Sequence, residues 1–191
     1  MKGLDKMGWY GRAEWRGYGR NERLDKFFTK LLGRSRAYEI AWVVKAYLAR
    51  WFPTFEKWTR GRCLWIETAP NGITNAGHAE VVGLIGDTGS CTAFTYLAYG
   101  TGSTAFAATQ TALVTQSQRA AATVSRITTT VTNDTLQLVK TFSVVATEVA
   151  AEGGGFNASS SGDMLCRVVY STPRSMVSGN TLAYTHTVQS T

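Results

Sequence analysis

The two histidines are the residues of this chain best suited to metal binding or acid–base catalysis. His78 stands two residues before Glu80, which is the H-x-E order of zinc deaminases, but the P-C-x-x-C segment that would complete such a site is absent. His186 lies in a stretch that alternates with Tyr184 and Val188, which is typical of one face of a strand. The sequence therefore predicts no metal site and no catalytic base at either histidine.

The cysteines, glycines and serines likewise form no motif that is specific for a catalytic or binding site. Cys63, Cys91 and Cys166 are odd in number and widely spaced, which argues against a disulfide framework. Gly100-Thr-Gly-Ser103 is a lone G-x-G without the rest of a nucleotide-binding motif, and no serine stands in G-x-S-x-G. Acidic residues are too few and scattered to suggest a catalytic carboxylate pair. We therefore expect a protein that is not an enzyme and has no cofactor.

The elements that would position these residues divide the chain into two parts of different composition. Residues 1–62 contain 15 of the 20 Lys and Arg residues and 6 of the 13 Asp and Glu residues, which gives a net charge of +9. Residues 63–191 hold the remainder, a net charge of −2, and are rich in Thr, Ser, Gly and Val. The change predicts a basic, Trp-rich helical arm at 1–62, a linker at 63–70 and a β domain at 71–191.

Within the arm, the many glycines of residues 1–20 predict a flexible segment, and apolar residues at spacings of three and four then predict two helices. The first begins at Asn21 and ends at Gly33, and the second runs from Ser35 to Phe52, where Pro53 stops it. Seven aromatic or basic side chains are the candidate partner-binding residues: Trp42, Tyr47, Trp51, Trp58, Arg36, Lys45 and Arg50.

Three interpretations of the arm stay open at this point. A helical hairpin could pack its apolar face on its own protein or on a neighbouring subunit. Clustered basic and aromatic residues also suit nucleic-acid phosphates and bases. Interfacial Trp with Lys and Arg would suit a membrane surface, although no apolar run approaches the roughly 20 residues of a transmembrane helix.

Residues 71–191 are expected to form an antiparallel β-sandwich, jelly-roll-like, with one short helix. The helix is predicted over 73–85, with Thr74 as its cap and an apolar stripe of Ala76, Ala79, Val82 and Ile85. A hairpin is predicted across 118–149, with Asn133-Asp134 as its turn. Further strands are predicted over 92–99, 163–171 and 181–189. We expect this domain to fold and oligomerise without the arm.

An ordered set of short motifs adds to this interpretation. Ile73-Thr-Asn-Ala-Gly77 is followed by Phe94-Thr-Tyr-Leu-Ala-Tyr-Gly-Thr-Gly-Ser-Thr104, then by Ala108-Thr-Gln-Thr-Ala-Leu113 with Arg119. Glu152-Gly-Gly-Gly-Phe-Asn-Ala158 and Gly162-Asp-Met-Leu-Cys-Arg167 come after them. This order, over about residues 71–190, resembles small virion proteins of tailed bacteriophages.

The resemblance implies a non-enzymatic component of the virion, made in the host cytoplasm and binding other capsid or tail proteins. It implies a homo-oligomer, for which we favour a trimer. We expect a capsid decoration or cement subunit that oligomerises through its β domain and anchors through the arm. A tail, collar or fibre-adaptor protein is the alternative within this class, and a nucleic-acid-binding protein acting through residues 1–62 is the alternative from another class.

Overall fold

The computed structural model describes residues 9–19 and 63–190, which form nine strands and one helix. In chain order the elements are β1 (Trp9–Tyr18), β2 (Cys63–Ile73), α1 (Asn75–Gly86), β3 (Tyr96–Gly100), β4 (Gln116–Ala121), β5 (Thr123–Ile127), β6 (Thr135–Ser143), β7 (Glu148–Phe156), β8 (Met164–Met176) and β9 (Thr181–Ser190). All strand pairs among these residues are antiparallel. The prediction of a mainly β, antiparallel fold with one short helix is therefore confirmed.

The strands form one curled sheet whose two outermost strands are consecutive in the chain. The strand order is β4-β3-β7-β8-β2-β1-β9-β6-β5. Only Ala122 separates β4, which pairs with β3, from β5, which pairs with β6. The Nε2 of Gln118 bridges the remaining seam by donating to the carbonyl oxygen of Ser143 at 2.9 Å. The result is a nearly closed, barrel-like sheet.

The interior of this sheet is filled by residues that alternate along the strands, as the period of a strand requires. The main core consists of Ala13, Trp15, Leu97, Tyr99, Leu138, Phe142, Val144, Ala150, Val168, Tyr170, Met176, Leu182 and Tyr184. Trp15 is fully buried, and its ring centroid lies 3.9 Å from that of Tyr170 and 5.5 Å from that of Tyr184. A strand from the first 20 residues therefore supplies the largest side chain of the core.

The structure differs from the sequence-based prediction at β1. Residues 9–18 were expected in a flexible part of a separate arm, yet β1 lies near the middle of the sheet, between β2 and β9. Its glycines stand where neighbours approach closely: a Cβ on Gly17 would lie 2.4 Å from the Trp65 ring, and one on Gly11 would lie 2.1 Å from the carbonyl oxygen of Thr187. Contacts with distant strands thus outweigh the low strand propensity of glycine.

Residues 63–70, predicted as a linker, also lie in the sheet, as the first eight residues of β2. Their exposure alternates, with Trp65, Glu67 and Ala69 less exposed than their neighbours. β1 and β2 pair along most of their length. The sheet therefore contains residues from both the predicted arm and the predicted linker. The helices predicted within residues 21–52 lie outside the described residues.

Helix α1 begins as predicted but packs on a different face. The hydroxyl oxygen of Thr74 accepts a hydrogen bond from the backbone nitrogen of Gly77 at 2.9 Å, which confirms the cap. The predicted apolar stripe is wrong, because Val82 and Ile85 are 67% and 74% exposed. The buried helical residues are Gly77 and Gly83. A Cβ on Gly77 would lie 2.2 Å from the Leu165 carbonyl oxygen, so only glycine lets the helix rest this closely on β8.

The predicted turn at Asn133-Asp134 is confirmed. Asn133 adopts a φ of 60°, and the carboxylate of Asp134 accepts hydrogen bonds from the backbone nitrogens of Thr129, Thr130 and Val131. Short polar residues tolerate this conformation and satisfy a turn backbone. The flanking strands are β5 and β6, which pair as a hairpin.

Candidate interaction surface

The residues predicted to bind a partner belong to the segment that joins β1 to β2. Trp42, Tyr47, Trp51, Trp58, Arg36, Lys45 and Arg50 all lie outside the described residues, so their role stays a prediction. The structure does fix where this segment leaves and rejoins the sheet. Tyr18, the last residue of β1, pairs with Cys63, the first residue of β2. Residues 20–62 are therefore an insertion at the tip of the β1–β2 hairpin.

This insertion accounts for the whole excess charge of the chain. Residues 20–62 contain eleven Lys and Arg against four Asp and Glu, a net charge of +7 that equals the formal charge of the protein. The other 148 residues hold nine of each sign. Nine of the 22 aromatic residues also fall in the insertion. Basic and aromatic side chains together suit both nucleic-acid strands and the centres of protein interfaces.

Exposed aliphatic side chains surround the point where the insertion leaves the sheet, which we call the insertion end. Thr181 pairs with both Tyr18 and Ser143, so the β6–β7 and β8–β9 loops lie beside the point where the insertion leaves the sheet. The backbone nitrogen of Gly179 donates to the Val144 carbonyl oxygen at 2.9 Å and joins the two loops. Four side chains here are at least half exposed: Leu64 (52%), Ile66 (52%), Val145 (75%) and Val177 (51%). Scattered exposed aliphatics are ordinary, but a group at one end of a domain suits a contact surface.

A fully buried ion pair joins β7 and β8 on the outer face of the sheet. The Nη2 of Arg167 in β8 lies 2.7 Å from Oε2 of Glu152 in β7, and both side chains are completely buried. Arg167 Nε donates to the same carboxylate oxygen at 2.8 Å. A buried pair of this kind needs further hydrogen bonds to offset its desolvation.

Those further bonds come from the loop of residues 101–115. Glu152 accepts from the backbone nitrogens of Gly102 at 3.1 Å and Thr115 at 2.7 Å. Arg167 donates to the Thr104 carbonyl oxygen at 2.9 Å and to Gln110 Oε1 at 3.0 Å. The Gly100–Ser103 turn is thereby fixed against the sheet, and the amide of Gly102 is already bonded to a carboxylate. The role of this turn in the structure is to anchor the loop of residues 101–115.

Arg119 extends the same unit towards the loop of residues 157–163. Its guanidinium carbon lies 3.5 Å from the centroid of the Phe156 ring, and Nη1 donates to the carbonyl oxygen of Ser161 at 2.8 Å. Three charged residues of the ordered motifs, Glu152, Arg167 and Arg119, thus lie on one outer face of the sheet. Sequence reasoning missed the Glu152–Arg167 pair, although each residue is the one charge in an otherwise uncharged stretch, 149–156 and 164–170, which was a usable signal.

A second polar cluster lies inside the sheet around His186. Tyr184 OH lies 2.8 Å from Nδ1 of His186, Cys166 Sγ lies 3.0 Å from its Nε2, and Asn71 Nδ2 also contacts Nε2. Burial raises the pKa of the Cys166 thiol to about 12 and lowers the pKa of His186 to about 3. Both groups are therefore neutral near pH 7, whereas a nucleophilic cysteine needs a lowered pKa. The cluster is a hydrogen-bonded part of the core.

His78 and Glu80, the H-x-E pair of the sequence, have different surroundings. His78 is exposed on α1. The carboxylate of Glu80 accepts from the backbone nitrogen of Thr92 at 3.0 Å and from Asn157 Nδ2 at 2.8 Å. These hydrogen bonds, the first above all, lower the pKa of Glu80. Glu80 thus helps to fix the segment that follows α1.

Residues 9–19 and 63–190 contain neither a metal-binding cluster nor a membrane-spanning helix. The described side chains contain no group of three or more His, Cys, Asp and Glu that could hold a metal ion. No helix in the same part of the chain is long and apolar enough to cross a membrane.

No protein-family model matches the chain, and comparison with curated proteins and with solved structures gives no match.

Proposed function

We propose that this chain is a non-enzymatic structural protein of a tailed-bacteriophage virion, made in the host cytoplasm. Its most suitable role is that of a capsid decoration or cement subunit, which oligomerises through its β domain and anchors to the particle through its N-terminal third. We also propose that the β domain is arranged like a jelly roll and that the N-terminal extension is helical.

The observation that carries the proposal is the separation of a neutral sheet from a basic, aromatic insertion. The insertion, with a net charge of +7, leaves and rejoins the sheet at two adjacent residues, Tyr18 and Cys63. An element attached at a hairpin tip can contact a partner without disturbing the core that carries it. This arrangement suits a subunit whose scaffold and whose attachment element are distinct.

Oligomerisation is supported by the composition of the sheet itself. The chain outside the insertion has no net charge, and its insertion end exposes Leu64, Ile66, Val145 and Val177. Surfaces of low charge with grouped aliphatic side chains can pack against identical copies in a closed symmetric assembly. A trimer is our preferred form.

The ordered motifs support the structural class over an enzymatic one. Glu152 pairs with Arg167 and accepts a hydrogen bond from a loop amide, and Arg119 donates to a loop carbonyl oxygen. These contacts support the interpretation that the motif residues stabilise the fold rather than line a reaction site. The same observations would suit a tail, collar or fibre-adaptor protein, which is the alternative location.

The direct test is to purify the phage particles whose genome encodes this chain and to analyse them by mass spectrometry and cryo-electron microscopy. We expect the chain at a fixed, symmetry-related copy number on the capsid. Density at the tail or collar would overturn the decoration assignment and support the alternative location. Absence of the chain from purified particles would overturn the proposal as a whole.

The net charge of +7 on 43 residues also favours a second candidate, a nucleic-acid-binding protein. Phosphate contacts by Lys and Arg release counterions, so such binding would weaken steeply as salt rises. Fluorescence anisotropy with labelled single-stranded and double-stranded DNA and with RNA, from low to physiological salt, tests this candidate. Salt-dependent binding that disappears when residues 20–62 are replaced would support it, and no binding at low salt would exclude it.

A further inference from the structure

An open cleft of about 470 Å³ lies on the outer face of β2, β1, β9 and β6, beside the turn between β5 and β6. Its lining includes Arg12 of β1, Thr68 and Pro70 of β2, and Thr187 and Gln189 of β9. Small-molecule sites in proteins occupy roughly 300–1,000 Å³, so the cleft has the size of a ligand site. Nothing in the proposed virion role uses it.

Arg12 is the charged residue of this lining, and no carboxylate neutralises it among the described residues. Its Nη2 donates to the hydroxyl oxygen of Thr68 at 2.9 Å, which holds the guanidinium against the cleft wall. The nearest acidic residue on the same strand face, Glu14, is paired with Arg16 at 2.6 Å. The remaining N–H groups of Arg12 can therefore receive a carboxylate, whose two oxygens match the geometry of the guanidinium fork.

Gln189 supplies a fixed acceptor in the same cleft. The residue is only 6% exposed, and its Nε2 donates to Thr130 Oγ1 and to Asp134 Oδ2, each at 2.9 Å. These two bonds use both amide hydrogens and fix which way the amide faces. Its carbonyl oxygen has no partner among the described residues, and it can accept a hydrogen bond from a ligand hydroxyl.

The two threonines complete a mixed set of donors and acceptors. The hydroxyl oxygen of Thr68 accepts from Arg12, so its proton remains available to a ligand. The hydroxyl of Thr187 donates to the backbone carbonyl oxygen of Arg12 at 3.0 Å, so its lone pairs remain available. A ligand that both donates and accepts through several hydroxyl groups would match this set.

The backbones of β1 and β9, in the middle of the cleft floor, have no free edge to offer a peptide. β1 pairs with β2 on one side and β9 on the other, and β9 pairs with β1 and β6. A peptide therefore could not add as a further strand to β1 or β9, since strand addition needs an exposed edge. Recognition at these two strands must come from side chains, and Pro70 of β2 supplies an apolar surface for the face of a ring.

We propose that this cleft binds an acidic saccharide, with its carboxylate on Arg12 and its hydroxyls on Thr68, Thr187 and Gln189. The test uses the full chain, with di-galacturonate and D-glucuronate as probes and with D-glucose, acetate and a short aspartate-containing peptide for comparison. Binding is measured by saturation-transfer NMR and by calorimetry. We expect the two uronates to bind, with the disaccharide tighter.

Arg12→Gln should weaken di-galacturonate binding about tenfold, because a charge-assisted hydrogen bond is lost. Arg126→Gln, at an exposed arginine that does not line the cleft, is the matched control and should bind like the unaltered chain. Thr68→Phe, at an exposed position, should fill the cleft and abolish binding. Thermal unfolding of each variant shows that the fold is kept.

Four results would overturn the proposal. The first is no binding of either uronate, and the second is equal binding of glucose. The third is binding of acetate or of the peptide as tight as that of di-galacturonate. The fourth is full affinity in Arg12→Gln or Thr68→Phe. None of them bears on whether the chain is a virion component, because the proposed attachment lies at the insertion end.

Discussion

Residues 20–62 and the barrel-like sheet that carries them have opposite compositions. The insertion has a net charge of +7 and nine aromatic residues in 43 positions, whereas the other 148 residues are balanced in charge. In the sheet, the two fully buried charges, Glu152 and Arg167, neutralise each other. The main core around Trp15 carries no charge and consists of aromatic and other apolar residues.

The residues that stabilise the described fold lie in the sheet, and we propose that contact with partners is carried by the insertion. The buried ion pair, the core around Trp15 and the cluster around His186 all lie in the sheet and contribute to its fold. The charge that could attract a partner lies in the insertion. Changes in the sheet should therefore alter unfolding, and changes in the insertion should alter binding.

The largest expected effect is a difference in cooperative unfolding between two deletion variants, of which one lacks β1 and the other keeps it. Removing residues 1–62 takes away β1 and the fully buried Trp15, so we expect loss of cooperative unfolding. Replacing only residues 20–62 by the dipeptide Asn-Gly leaves the β1–β2 hairpin with a short turn, and we expect a cooperative transition. Urea denaturation followed by circular dichroism measures both. A cooperative transition in the first variant would show that β1 is dispensable.

Next in size is the effect of leaving Glu152 buried without its partner. Arg167→Met should lower the free energy of unfolding by about 3–5 kcal/mol, since an uncompensated buried charge remains. Combining it with Glu152→Gln removes that charge and keeps an acceptor for the loop amides, so part of the stability should return. The control is Arg16→Met, at an exposed pair that contributes about 0–1 kcal/mol. Equal losses in Arg167→Met and Arg16→Met would contradict the account.

A smaller effect is expected from pH, through His186. Its pKa is lowered by burial to about 3, so between pH 6.5 and 3 the unfolded chain binds a proton that the folded chain does not. Stability is therefore lost as the pH falls through this window, by about 2 kcal/mol from pH 6.5 to 5. His186→Gln should remove this dependence, and His78→Gln, at an exposed residue, should keep it. A flat profile in the unaltered chain would contradict the burial of a neutral histidine.

Local signals in the sequence were enough for the elements that depend on local chemistry. The cap at Thr74 and the turn at Asn133-Asp134 were predictable, because side-chain oxygens there satisfy nearby backbone groups. The strand near the C-terminus followed from its alternation, and β9 covers the predicted 181–189.

The rest depends on contacts between residues far apart in the chain. β1 could not be found from its glycine-rich sequence, since Gly11 and Gly17 are required by neighbours on β9 and β2. The face of α1 was mispredicted because the helix rests on the backbone of β8 through Gly77. The ordered motifs pointed to residues 152–167, but only the fold shows that Glu152 and Arg167 meet and fix the 101–115 loop.

The most direct test of the central claim is the occupancy of particles by the chain in which Asn-Gly replaces residues 20–62. Particles assembled without the chain are mixed with purified full chain or with this variant, and bound protein is quantified after gradient purification. We expect saturable binding of the full chain and none of the variant, although the variant remains folded. Equal occupancy by the two proteins would contradict this expectation.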